Sequence, residues 1–287
     1  MKNHRMQKMT VRELQDYLAG AKHKTIILPY GLCEQHGYHL PLETDIRTAD
    51  IFAEELAEKL DCLIAPTLNY TFSGGMLTGT INVSPNTFST LVGEIIESLA
   101  LQGFDNFIIL PGHGGSESLL HLKESLRILK WLRPALKDKM ILLVPPDSSF
   151  SPSMTKFFEE RDYHAAWVET ALFMHWDPSV IRKDMICTDV PEVAERLRSD
   201  PDSYQLRESF TELSEEIVQT SQRSDVKVGV MGYPERATAE LGAQLDAEFI
   251  DNAAAALKKA VECADEARKS GKRIIHDNGG QLKILNI

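Results

Sequence analysis

Apolar positions fall into two rhythms: short unbroken runs, and longer stretches in which they recur every three or four residues. Thr25–Tyr30 (TIILPY), Asn106–Leu110 (NFIIL) and Lys139–Val144 (KMILLV) are of the first kind, and Cys62–Pro66 is a shorter example. Such runs predict strands buried on both faces. Between them, Ala49–Leu60 sets Ile51, Phe52, Leu56 and Leu60 at helical spacing with acids between, and Val11–Leu18, Thr87–Leu101 and Glu117–Trp131 also read as helices. Gly103 follows the third of these as a C-cap. Helix and strand alternating at this spacing predict an α/β fold, layered α/β/α around a mostly parallel sheet.

Past Pro145-Pro146 the rhythm loosens. Ser148–Tyr163 reads as loop and His164–Trp176 as helix. Pro191–Arg223 is acidic and weakly periodic, a surface excursion. Asp225–Val230 is one more strand candidate, with a turn at Gly232 and Pro234, and Ala237–Lys269 is a long alanine-rich helix. The tail, 272–287, receives no element. There is no internal repeat, and residues 1–287 are read as one domain. Asn69–Asn86, rich in Gly, Ser, Thr and Asn, reads as a long loop; its part Asn69–Thr80, with Gly74, Gly75 and Gly79, reads equally as a substrate lid or as a flexible connection or oligomer contact.

Composition narrows the partners. Hydrophobic residues make up 43% and charged residues 25%, as in soluble globular proteins. Thirty-one basic residues against 42 acidic ones give a formal charge of −11, which argues against nucleic acid. No run approaches the ~20 apolar residues of a membrane helix, and the start, MKNHRMQKMT, has no signal-peptide core. Cys33, Cys62, Cys187 and Cys263 show no paired spacing, which fits free thiols in the cytoplasm.

The chemistry gathers at two strand ends. After Thr25–Tyr30 comes LCEQHGYHLPLETD, residues 32–45. Glu34 and His36, two apart, leave the same face of an extended chain. Gly37 permits a turn, and Asp45 opens the following helix with Thr44 as its N-cap. The strand ending at Leu110 runs into PGHGGSES, where glycines around His113 allow close backbone approach. His164 and Glu169, with Asp162 before them, form a third group. Open α/β sheets bind ligands at such strand ends. Glu34, His36, Asp45, His113 and Glu169 offer three carboxylates and two imidazoles, a mixed set suited to two Zn²⁺ and/or Mn²⁺ ions with Asp45 as the bridge. Alone, each motif is weak: GHGG also reads as a tight turn or an anion cradle at a helix N-terminus. His39 and His121 are assigned to the surface or behind the ligands, His175 to structure, and His4, His23 and His276 to solvent.

The stretch EQHGYHLPLETD, with LPGHGGSE, HAAWVETAL and GVMGYPERATAELG after it in order, closely resembles the motifs of the creatininase (creatinine amidohydrolase) family. The resemblance covers about Ile26 to Gln244. It implies a creatininase-like fold, a binuclear metal centre, homo-oligomers (hexamers among them), and hydrolysis of a non-peptide C–N bond of the cyclic amide or formamide type in a small-molecule amide. By position, Glu34, His36, Asp45 and His113 match metal ligands, Glu169 matches the glutamate of the third motif, and His164 matches the proton shuttle. A hydroxide bridging the metals is the implied nucleophile. Ser73, Gly114 and Gly115 are the candidates for substrate binding. Creatininase carries a Tyr and an acid after the turn histidine, where this chain has Gly114 and Gly115, and a Trp where this chain has Glu160. These departures point away from creatinine itself. The rival readings are a non-catalytic module that binds an anion or small molecule on the same scaffold, and Cys33 as a nucleophile.

Overall fold

A computed structural model describes residues 4–145, 150–276 and 282–286. Helix α1 (Val11–Gly20) leads into β1 (Thr25–Tyr30), followed by α2 (Thr44–Leu60), β2 (Leu63–Ile64), α3 (Pro85–Gln102), β3 (Asn106–Pro111), α4 (Ser116–Leu132) and β4 (Met140–Leu143). The four strands pair in parallel in the order β2-β1-β3-β4. Residues Thr25 to Tyr30 stand opposite Asn106 to Pro111, so β1 and β3 end level with each other.

Both central strands are buried along their whole length, as apolar runs covered on two faces must be. Ile26, Leu28, Phe107 and Ile109 pack on Phe88, Val92 and Ile96 of α3 and on Leu122 and Leu126 of α4. The alternate residues Ile27, Ile108 and Leu110 face Phe52 and Leu56 of α2. The same side receives α6 (Trp167–Trp176) and α8 (Ala239–Ser270) through Leu172, Leu245, Phe249 and Leu257. The layered, mostly parallel α/β architecture read from the sequence is therefore present.

Several boundaries differ from those read in the sequence. α5 (Pro152–Glu159) lies inside the segment read as loop. Ser151 caps it by accepting from Met154 N at 3.1 Å, Pro152 opens it, and Met154 and Phe157 anchor it in the core. The third-motif helix starts at Trp167 rather than His164, because residues 163 and 164 pair with Met231 instead. No strand forms over Asp225–Val230. The Asp189 carboxylate accepts from the amides of Lys227, Val228 and Gly229 at 2.6, 3.1 and 2.8 Å, and these are donors a ladder would need. Thr44 does not cap α2; its hydroxyl donates to the Pro41 carbonyl at 2.7 Å. α8 begins two residues later than read, with Thr238 as its N-cap.

The excursion from Pro191 folds into α7 (Pro191–Ser199) and an antiparallel hairpin of β5 (Gln205–Glu208) and β6 (Gln219–Gln222). In the tail, β7 (Lys272–His276) pairs with β8 (Leu282–Asn286). Pro146 and the start of the loop read from Ser148, and the tail glycines, lie outside the described residues. Among the described residues no helix is long and apolar enough to cross a membrane.

Candidate metal centre

The site forms where β1 and β3 end. Glu34 and His36 lie on the link after β1, Asp45 in the first turn of α2, His113 after β3, and Glu169 in the first turn of α6. Glycine lets these parts meet. A Cβ on Gly112 would lie 2.0 Å from the Asp45 carbonyl oxygen, and one on Gly31 would lie 2.4 Å from Ile46 N. Only bare backbone allows α2 to press its first turn against both strand ends, which seats Asp45 between the β1 and β3 groups. Gly37, at φ +62°, turns the chain back after His36.

His113 Nδ1 lies 3.0 Å from Glu34 Oε2 and 3.1 Å from Asp45 Oδ2. His36 Nε2 lies 3.1 Å from Asp45 Oδ1 and 3.5 Å from Glu169 Oε1. The five side chains thus sort into two triads, Glu34/Asp45/His113 and His36/Asp45/Glu169, the donor atoms of each lying within 4.8 Å of one another. Asp45 belongs to both and gives one oxygen to each. Two donors bound about 2.1 Å from one tetrahedral Zn²⁺ stand roughly 3.4 Å apart, close to the separations observed. Glu34 Oε2 and His36 Nε2 are buried and make no hydrogen bond, although acceptors and donors surround them. The donor set and the orphaned atoms both fit divalent cations.

Electrostatics agree. Burial opposes every charge here, yet His113 and then His164 hold the Glu34 carboxyl well below the usual range. His36 and His164 hold Glu169 down to about 2 against burial. Glu34 and Asp45, also against burial, push the His113 imidazole up to about 10, and Asp45 and Glu169 raise His36. Without ions, protons on the imidazoles neutralise the carboxylates. A raised histidine pKa stabilises the fold below its unfolded value near 6.5 and loses that contribution as pH rises through the folded value. The metal-free protein is therefore expected to lose thermal stability from about pH 6.5 towards pH 10. Metal held there would replace the protons and flatten that loss. Thermal melts with and without chelator across this range check both statements.

His164 joins Glu34 and His36 in a third, overlapping group. Its ring lies 4.5 Å from that of His36. Its Nε2 lies 2.9 Å from the Gln35 carbonyl and 3.0 Å from the Gln35 side-chain nitrogen, and the Met231 amide donates to its carbonyl at 2.8 Å. These contacts fix the ring beside the two triads.

A profile of the creatininase family, described as creatinine amidohydrolase, matches residues 7–257. The chain belongs to the creatininase family. Among curated relatives, the mycofactocin precursor peptide peptidase of Mycolicibacterium smegmatis is 26% identical over 246 residues, 82% of this chain and 84% of that protein. A solved structure titled creatininase Mn matches with TM-score 0.69 at 19% identity, covering 91% of this chain and 99% of that one. A mutant creatininase of Zn-Zn type matches with TM-score 0.70 at 20% identity and the same coverage. These structural likenesses establish the fold. The family makes the chain a hydrolase of the metal-dependent amidohydrolase kind.

Within this creatininase-family fold, a cavity of about 1300 Å³ adjoins the triads, with Ser73, Gly114, Gly115 and His164 in its wall. Ser73 is not free to meet a ligand: its hydroxyl donates to Glu34 Oε1. Cys33 turns away, its thiol directed at the Gly79 carbonyl at 3.5 Å. His39, read as surface or supporting, is wholly buried and reaches Thr170 Oγ1, beside Glu169, at 3.0 Å. His4 and His23, read as solvated, pair with the Cys62 carbonyl and with Asp265. Asp162 is a supporting residue the motif reading did not assign. Its carboxylate accepts from Trp167 N and Val168 N at 2.7 and 2.9 Å, capping α6 just ahead of Glu169. An acid near a helix start is the signal for it, but its separation from the cap, set by the positive φ of Ala165, follows no standard spacing.

Proposed function

We propose that this protein is a binuclear metal-dependent amidohydrolase, in which Glu34, His36, Asp45, His113 and Glu169 hold two divalent ions, Zn and/or Mn, and His164 moves a proton. The observation that carries the reading is the division of Asp45 between two triads. Ions held there would supply water of lowered pKa and a Lewis acid for the substrate carbonyl. The chain does the rest. His164, fixed by Gln35 and by its backbone pairing with Met231, stands at the edge of the triads and delivers a proton to the departing nitrogen. Ser73 holds Glu34 in place. Gly114 and Gly115 leave the backbone beside His113 open to the substrate.

The bond cleaved is a C–N bond of the cyclic amide or formamide type. A peptide amide is a second reading, supported by the mycofactocin relative and by cavity size: about 1300 Å³ exceeds the roughly 300–1,000 Å³ of ordinary small-molecule sites. Cyclic amides, N-formyl amino acids and short peptides, assayed by released amine with and without chelator, test both. Purified protein is expected to hold two ions per chain and to lose turnover on chelation. Protein without transition metal, or with metal but inert on the whole panel, sinks the proposal and leaves the binding module.

Ser73→Ala removes the hydroxyl that orients a ligand carboxylate. Changes behind a ligand typically cost about 10–100-fold in metal affinity, so a metal-buffered titration should show a loss on that scale.

A further inference from the structure

The β5–β6 hairpin carries an ordered knob with no socket among the described residues of its own chain. Between its strands, the Glu216 carboxylate accepts from Phe210 N and Thr211 N, both at 2.7 Å, and from Thr211 Oγ1 at 2.6 Å. This clamp holds the tip in one shape while Phe210 is 100% exposed, Ile217 96% and Leu213 69%. A fixed loop that presents a bare phenyl ring and two aliphatic side chains to water gains nothing from doing so as a single copy; such patches mark interfaces.

A complementary face lies on α4. Leu120, Ile128 and Trp131 are 70%, 41% and 81% exposed, and their spacing of eight and three residues sets them in one stripe. Lys123, Arg127 and Lys130 lie along the same helix. Over residues 206–218 the hairpin holds four glutamates against one arginine, whereas α4 and Arg133 beyond it hold four basic residues against two glutamates. In a chain of net charge −11, a basic face with an apolar ridge is suited to an acidic apolar knob, and charge complementarity of this kind sets register between partners. We propose that the hairpin tip of one copy docks on the α4 face of a second copy of this chain, with Phe210 and Trp131 as the central anchors. Large aromatics at the middle of an interface typically carry most of its energy.

The docked tip also bears on the active cavity. Leu120, Lys123 and Arg127 line its outer flank, so the neighbour's hairpin closes a wall that one copy leaves open. The hairpin's own root is tied to the loop next to the cluster: Tyr204 donates to the Ser73 carbonyl at 3.2 Å, and Gln222 accepts from Met76 N at 3.0 Å. Docking at the tip therefore bears on the loop that carries Ser73.

Light scattering and sedimentation of the full chain, with neither metal nor substrate added, test the contact independently of the hydrolase reading. Wild type is expected to run larger than one copy. Phe210→Ser with Ile217→Ser, and separately Trp131→Glu, should each weaken self-association at least tenfold with an unchanged circular dichroism spectrum, since all three side chains are exposed. In a Cys187→Ser, Cys263→Ser background, Leu120→Cys protein mixed with Ile217→Cys protein should form a disulfide between copies that neither forms alone. A single-copy wild type, an oligomer untouched by either set of changes, or cross-linking by Leu120→Cys alone overturns the proposal. So does a Trp131→Glu oligomer that stays intact but loses peptide hydrolysis, which would make the α4 face a substrate groove.

Discussion

Asp45→Ala is expected to release both metal ions and to bring amide hydrolysis down by on the order of 10³-fold or more, the scale lost when a single oxyanion-stabilising contact is removed. The size of the effect follows from sharing. Asp45 Oδ2 faces His113 and Oδ1 faces His36, so one substitution removes a donor from each triad. His113→Ala removes a donor from one triad only and should leave about one ion per chain. Elemental analysis of the two variants beside wild type separates a bridge from an ordinary ligand. A thermal shift gives a second measure. A ligand that binds only the folded state at 100 times its Kd stabilises by about 2.7 kcal/mol, so wild type should melt higher with added Zn²⁺ or Mn²⁺ and Asp45→Ala should not. A variant retaining two ions would show that Asp45 is no bridge.

The central sheet was legible because its strands leave no ambiguity of period. Thr25–Tyr30 and Asn106–Pro111 are buried at every position, and a run with no polar face predicts a strand covered on both sides. The convergence of Glu34, His36, Asp45 and His113 was legible for a related reason: parallel strands in register bring their following loops together. Other features left no trace, because their causes act across space. Asp189 takes three amides about forty residues away, which dissolves an expected strand through contacts that no local pattern encodes. Asp162 caps α6 from five residues upstream, and only the bend at Ala165 allows it. His4 looks solvated in a polar N-terminal stretch, yet it reaches a carbonyl 58 residues away. α5 was hidden because eight residues give little more than two turns over which a period can show.

His164→Ala should keep both ions and lose turnover, and the pairing of those outcomes is what makes it informative. His164 lies in neither Asp45 triad, yet its ring stands 4.5 Å from that of His36, and it shares an overlapping group with Glu34 and His36. Position alone would therefore allow it to be another ligand. Its tethers argue otherwise. Nε2 is engaged by the Gln35 carbonyl at 2.9 Å, and its backbone is fixed through Met231. An imidazole held through Nε2 by the Gln35 carbonyl and side-chain amide is fixed in orientation and presents its other nitrogen for proton exchange. Loss of a positioned general acid typically costs about 10²–10⁴-fold. The fall should appear in kcat with KM little changed, because the interaction is made as the nitrogen departs. Added imidazole should restore part of the rate, since the missing group leaves space beside intact metal positions. If the variant instead loses one ion per chain, His164 is a ligand, and the proton must come from another group at the cavity wall.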